Sequence, residues 1–406
     1  MPARAYLDHA STAPLRPAAR DAVLRWLDAG AAGDPGRIHA EGMAARVAVE
    51  EARDAVAALL GARNREVVFT SGATESIAAA CWGAAARHAE RTGRPGHQVV
   101  PAVEHSAVRL SAARHGEVTL VPVDGAGRVD PDAVLDAVRP DTALVHVQWG
   151  NHEVGTVQPV AEVVAGCRER GVLVHVDAAQ AAGRVPIDFG RLGADLLSVS
   201  GHKLGGPPGT GALLVRRGVR LPPLLLGGDQ ERARRAGTEN VPGVVGLGAA
   251  AAALATPGAL EAEAAAQRRW TDRIRAAVGA GADRDDTDGG GSGGAGRVDG
   301  LAGLTVYGPR TPDQRLPHLV CLGVAGIEPQ AVLLGLDRAG VAAHSGSACA
   351  SESLEPSPVL EAMGVDAHHS LRVSVGWSTT DADVDRLLDA LPAVLAELRA
   401  LATGQT

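Results

Sequence analysis

Between residues 66 and 203, short apolar runs alternate with helical patterns, and this alternation restricts the fold more than any other feature of the chain. The runs are "EVVFTSGATES" (66–76), "QVVPAVEHSAV" (98–108), "TLVPVD" (119–124), "TALVHVQWG" (142–150), "GVLVHVDAAQ" (171–180) and "ADLLSVSGHK" (194–203). Segments such as "PDAVLDAV" and "AEVVAGCRER" separate them with helical spacing. Strands apolar on both faces, interleaved with helices, predict an α/β domain around a mostly parallel sheet. An amphipathic helix, "RVAVEEARDAVAALL" (46–60), precedes the first run.

The pattern changes near residue 256. An Ala-rich helix, "LEAEAAAQRRWTDRIRAAV", leads into "DRDDTDGGGSGGAGR" (283–297), whose polar, Gly-rich composition predicts a disordered insertion. The chain ends on an amphipathic helix, "DADVDRLLDALPAVLAELRALA". Two domains are expected: a large one over 16–255, and a small α+β one built from 1–15 and 256–406.

With 46% hydrophobic residues the chain has material for a large core, and its formal charge of −8 provides no basic stripe for nucleic acid. No apolar run approaches the ~20 residues of a membrane span, and the start "MPARAYLDHA" has no apolar h-region. Cys81, Cys167, Cys321 and Cys349 are widely spaced, as for free thiols in a reducing cytoplasm, and no metal-ligand set is read. Three of the four sit in apolar contexts and read as packing residues. Cys349 differs, standing in the small, polar run "HSGSACASES" (344–353).

Ligands of open α/β sheets sit outside the carboxyl ends of the strands. The polar residues that follow the runs are Thr74, His105, Asn151, His152, Asp177, Gln180, Ser200, His202 and Lys203. A lysine, an aspartate and a phosphate-sized cradle together point to pyridoxal 5'-phosphate. Lys203 suits the Schiff base, and Asp177 suits a protonated pyridine nitrogen. Main-chain N–H groups at the helix start (Ala73 and Thr74), with Ser200 and His202, suit the phosphate. His105 suits a position flat against the ring.

These residues, with "YLDHASTAPLRP", "NHEVGTVQP", "SVSGHKLGGPPGTGAL", "GGDQERARRAGTENVPG", "HSGSACASESLEPS" and "LRVSVGWSTT" in the same order, resemble the cysteine desulfurases of the class V aminotransferase group. The likeness spans nearly the whole chain; only the Gly-rich insertion has no counterpart. It implies a fold type I pyridoxal-phosphate transferase, with a seven-stranded, mostly parallel sheet in its large domain and a smaller α+β domain. It implies Lys203, His105 and Cys349 as catalytic residues, and Gln180 and His152 near the cofactor's phenolic oxygen. It further implies Arg372 on the substrate carboxylate, Asn151 at the substrate, and Thr238 on the phosphate of a partner subunit in a homodimer.

The implied reaction converts L-cysteine to L-alanine, leaving a persulfide on Cys349. The sulfur would pass to an acceptor: an iron–sulfur scaffold, a tRNA thiolation protein or a DNA-modification protein. A selenocysteine lyase or other β-eliminating enzyme, or a weakly catalytic scaffold subunit, are the alternatives. His152 stands where the family has asparagine, in "NHE". A titratable imidazole there predicts a pH-dependent cofactor absorbance.

Overall fold

The alternating apolar runs pair into one central sheet. The computed structural model describes residues 4–30, 32–282, 301, 303–346 and 356–402. A short strand at the start, β1 (Ala5–Tyr6), lies apart from that sheet. The sheet itself holds β2 (Val67–Thr70), β3 (His97–Pro101), β4 (Val118–Val121), β5 (Thr142–Gln148), β6 (Leu173–Asp177), β7 (Leu196–Ser200) and β8 (Gly211–Val215). Their spatial order is β2-β8-β7-β6-β5-β3-β4. Pairings among β3 to β7 are parallel, whereas β8 runs antiparallel to both its neighbours.

Alternate residues of each strand feed two cores, as the pleat requires. Val67, Phe69, Val145, Val147, Val176 and Leu197 share one core with helices 40–59, 160–169 and 241–255. Val68, Leu144, Leu196 and Leu213 face helix 73–92, whose Ala80 and Ala84 let it lie close. Five strands of this sheet, β2, β3, β5, β7 and β8, are buried at every position, so they read as continuous apolar runs.

A separate core joins the two ends of the chain. It gathers Ala5 and Leu7 with Trp270, Ile274, Val332, Leu387 and Leu391. Around it lie β9 (Leu304–Tyr307), β10 (Leu319–Val324), β11 (Val341–Ala342) and β12 (Ser370–Ser374). β10 is the antiparallel centre of a β12-β10-β9 sheet, and β1 pairs with β11 in parallel. The expected disordered insertion, 283–297, lies outside the described residues. Among the described residues no single helix is long and apolar enough to cross a membrane.

One buried ion pair fixes a strained loop to the sheet. Glu231, Arg232 and Ala233 have φ of +48°, +58° and +58°, a region that disfavours L side chains. Glu231 nevertheless sits against β2. It accepts from Arg53 Nη1 at 2.6 Å and Nη2 at 2.8 Å, and from the Phe69 N–H at 2.8 Å. Removing Glu231 takes the buried carboxylate from Arg53, which keeps only the half-exposed Glu50 and Val67 O as partners, and leaves a strand N–H unpaired. Glu231→Ala is therefore expected to cost about 3–5 kcal/mol in denaturant unfolding. A loss below about 1 kcal/mol would show that the pair does not hold this loop.

Candidate active site

The carboxyl ends of β5, β6 and β7 open onto a cavity of about 530 Å³. Its size suits a cofactor with a small substrate. Each strand delivers one part of the wall. β6 ends on Asp177, whose Oδ1 is held by the Ala179 N–H at 2.9 Å. β7 ends on Ser200, and the single helical turn after it carries His202 and Lys203 into the cavity. His105 caps the helix that follows β3, its Nδ1 accepting from the Ala107 N–H at 3.1 Å. His152 follows β5, and its ring lies 5.0 Å from that of His105, edge to face.

The far wall is the start of helix 73–92. Ser71, Gly72, Ala73 and Thr74 line the cavity there. No side chain caps the helix, so its first N–H groups are open to an anion. The turn is fixed by close packing on β8, since a Cβ on Gly211 would stand 2.6 Å from the Gly72 Cα. Ser200 and His202 complete the cradle.

A polar row lies beneath this level, on the side of helix 73–92. His146 Nε2 meets Gln98 Oε1 at 2.9 Å, and His146 Nδ1 meets His175 Nδ1 at 3.0 Å. His175 Nε2 meets Ser198 Oγ at 2.7 Å. His175 stands two residues before Asp177, so the row underpins the strand end that carries the carboxylate.

Burial sets the protonation states. It pushes the Lys203 ammonium down to about 8, with Arg372 adding to the shift and Asp177 opposing it. Burial, reinforced by neighbouring cations, lowers His105 and His202 to about 4 and His152 to about 3. All three imidazoles are neutral at pH 7. Glu153 moves the other way, raised by burial to about 7 despite its hydrogen bond from Ser357.

The residues expected from the sequence gather here with three exceptions. Gln180 lines the cavity, with its Nε2 donating to Ala10 O at 2.8 Å and its Oε1 3.1 Å from His318 Nε2. Arg372 reaches the cavity from β12. Asn151 does not reach it. Its Oδ1 accepts from the Glu153 and Val154 N–H groups and its Nδ2 donates to Val103 O, so it shapes the loop that presents His152. Thr238 is exposed and absent from the cavity wall. Cys349 lies outside the described residues. The segment that carries it leaves from His344, which lines the cavity, and returns at Ser357, bonded to Glu153.

Ser11, Glu75 and His344 also line the cavity, although the sequence reading did not single them out. One signal in the sequence was stronger than any motif: Lys203 is the only lysine among 406 residues, against 38 arginines. Cys81, Cys167 and Cys321 are buried, and burial pushes each thiol up to about 12, as packing residues require.

The class-V aminotransferase profile matches residues 5–280 and 294–387. The chain belongs to the class-V aminotransferase family. A curated relative, the cysteine desulfurase IscS 1 of Archaeoglobus fulgidus, is 39% identical over 405 residues, covering 98% of each chain. Among solved structures, a NifS-like protein superimposes with a TM-score of 0.83 at 29% identity, covering 97% of this chain and 100% of that one. A structure described as SspA in complex with cysteine gives a TM-score of 0.74 at 28% identity, over 92% and 99% of the two chains. Class-V enzymes depend on pyridoxal phosphate.

The cavity fits that group by the chemistry of its donors. An uncapped helix start with a hydroxyl and an imidazole suits a phosphate, a strand-end carboxylate suits a ring nitrogen, and the single lysine amine suits an aldehyde.

Proposed function

We infer that this chain is a pyridoxal-phosphate-dependent L-cysteine desulfurase. The observation that carries the reading is the convergence of Lys203, Asp177, the open helix start and Arg372 on one cavity, whose wall also holds His344, five positions before Cys349 in the sequence. Bound pyridoxal phosphate supplies an aldehyde for amines and a ring that withdraws electrons from the substrate Cα. Lys203 would hold the aldehyde, Asp177 the ring nitrogen, and Ala73, Thr74, Ser200 and His202 the phosphate.

The remaining roles belong to the chain itself. Arg372 orients the substrate through its α-carboxylate, for which a guanidinium fork gives two parallel hydrogen bonds. The Lys203 amine, once free, takes the Cα proton; its lowered pKa leaves part of it uncharged at neutral pH, and that part grows as pH rises through about 8. Cys349 attacks the substrate sulfur. The C–S bond breaks, an S–S bond forms, and the carbon is protonated. L-cysteine and the Cys349 thiol thus become L-alanine and a Cys349 persulfide, with every hydrogen conserved. An acceptor protein then takes the sulfur. Thr238, on the exposed side of the loop that Glu231 pins, is assigned to the phosphate of the partner subunit in a homodimer.

Incubation with L-cysteine and a thiol reductant tests the reading, with alanine and sulfide measured together. Equal amounts of the two are expected; pyruvate with ammonia would point to a different elimination.

His152 allows a sharper check. Burial and the charges of Lys203 and Arg372 push its pKa down to about 3, against the expectation of a titrating imidazole. His152→Asn is therefore expected to leave the pH dependence of the cofactor absorbance unchanged between about pH 6 and 9. A step near neutrality that vanishes in the variant would show that the imidazole is charged there.

A further inference from the structure

Arg372, the anchor assigned to the substrate, already holds a carboxylate of the chain. Its Nη2 donates to Asp8 Oδ1 at 3.1 Å and to Ser11 Oγ at 2.7 Å, and Ser11 Oγ donates to the same Asp8 oxygen at 2.9 Å. Its Nη1 donates to His152 O at 2.8 Å. Asp8 is built into this position. Its backbone bridges Ser374, two residues beyond Arg372 on β12, and the flanking bonds Ser374 N to Leu7 O and His9 N to Ser374 O continue the pairing. Ser11 and Arg372 both line the cavity, so the arriving ligand meets the ion pair and not a lone guanidinium.

We propose that Asp8 makes the cavity selective for ligands that carry a positive charge beside their carboxylate, admitting α-amino acids and rejecting plain carboxylates. The proposal rests on the reading of Arg372 as the anchor of an amino-acid substrate. A carboxylate that approaches Arg372 enters the field of Asp8, at close range and with little solvent to screen it. A plain carboxylate has nothing to offset that repulsion. An α-amino acid has its ammonium on the adjacent carbon, and the substrate amine must come to Lys203, which lies within the same field: the Asp8 charge favours the charged amine there. Without Asp8, the positive charge of Arg372 would retain any small organic anion. Ser11 keeps the pair in register by bonding both members.

The test compares two probes that differ only in the amine, L-alanine and propionate. Their affinities for the cofactor-loaded protein are measured by titration calorimetry in wild type, Asp8→Asn and Asp8→Glu. Asp8→Asn is expected to bind propionate about tenfold more tightly relative to L-alanine than wild type does. Asp8→Glu, which keeps the charge, is expected to retain the wild-type ratio. An unchanged ratio in Asp8→Asn overturns the proposal, as does the same shift in both variants. Should Asp8→Asn not fold, Ser11→Ala loosens the pair and is expected to shift the ratio in the same direction by a smaller factor; no shift there overturns it equally. The ratio is independent of turnover, so a protein that makes no alanine from L-cysteine faults the desulfurase reading and leaves the Asp8 comparison intact.

Discussion

Lys203→Ala is expected to lower turnover of L-cysteine by roughly 10³-fold or more, the upper range for loss of a positioned base, because the same amine is also assigned to hold the cofactor. The chain has no second lysine to take over, so nothing else presents an ε-amine. Lys203→Arg should lose as much activity as Lys203→Ala. A guanidinium keeps the positive charge, but it does not release a proton near neutral pH and forms no bond to an aldehyde. Borohydride reduction of the wild type should fix a pyridoxyl group on the peptide that contains Lys203, and neither variant should be labelled. Activity above about 1% of wild type in either variant would contradict the role given to this amine.

Cys349→Ser is expected to separate binding from sulfur transfer. The run "HSGSACASES" is too small and polar to contribute much to a core, so stability should change by less than about 1 kcal/mol. The absorbance of the bound cofactor should also survive, since none of the described cavity residues is altered. Alanine formation should fall by about 10²-fold or more, because a hydroxyl is a far weaker nucleophile toward sulfur than a thiolate. The other three cysteines offer no relief. They are buried with thiols pushed up to about 12, in the wrong place and the wrong protonation state. A variant that still makes alanine at the wild-type rate would favour a β-eliminating lyase over a desulfurase.

The central sheet was legible because burial on both faces leaves a strand few polar positions beyond the row from Gln98 to Ser198, and the strand ends were legible because chemistry collects where the apolar runs stop. β8 was harder to place. Its sequence, "GALLV", resembles the parallel strands, and only its place between β2 and β7, antiparallel to both, sets its direction. The pairing of β1 with β11 joins positions more than 330 residues apart, and no local pattern encodes it. Asp8 and Ser11 escape a local reading for the same reason: they reach the site only through a second distant pairing, of Asp8 with Ser374 on the strand that carries Arg372.

Asn151 shows how little a strand-end position alone tells: its amide satisfies two backbone N–H groups and a carbonyl of the loop. The lone lysine carried the clearest functional message. Arginine serves on a protein surface as well as lysine does, and this chain uses arginine at every other such position. The one lysine stands where only a primary amine performs the chemistry.

The most direct measurement follows the sulfur atom. The protein is exposed briefly to L-cysteine without reductant, alanine is quantified, and the intact peptides are examined by mass spectrometry. The account predicts alanine in step with one added sulfur on Cys349, and none on Cys81, Cys167 or Cys321. Alanine formed while Cys349 remains unmodified, or sulfur found on one of the buried cysteines, would contradict it.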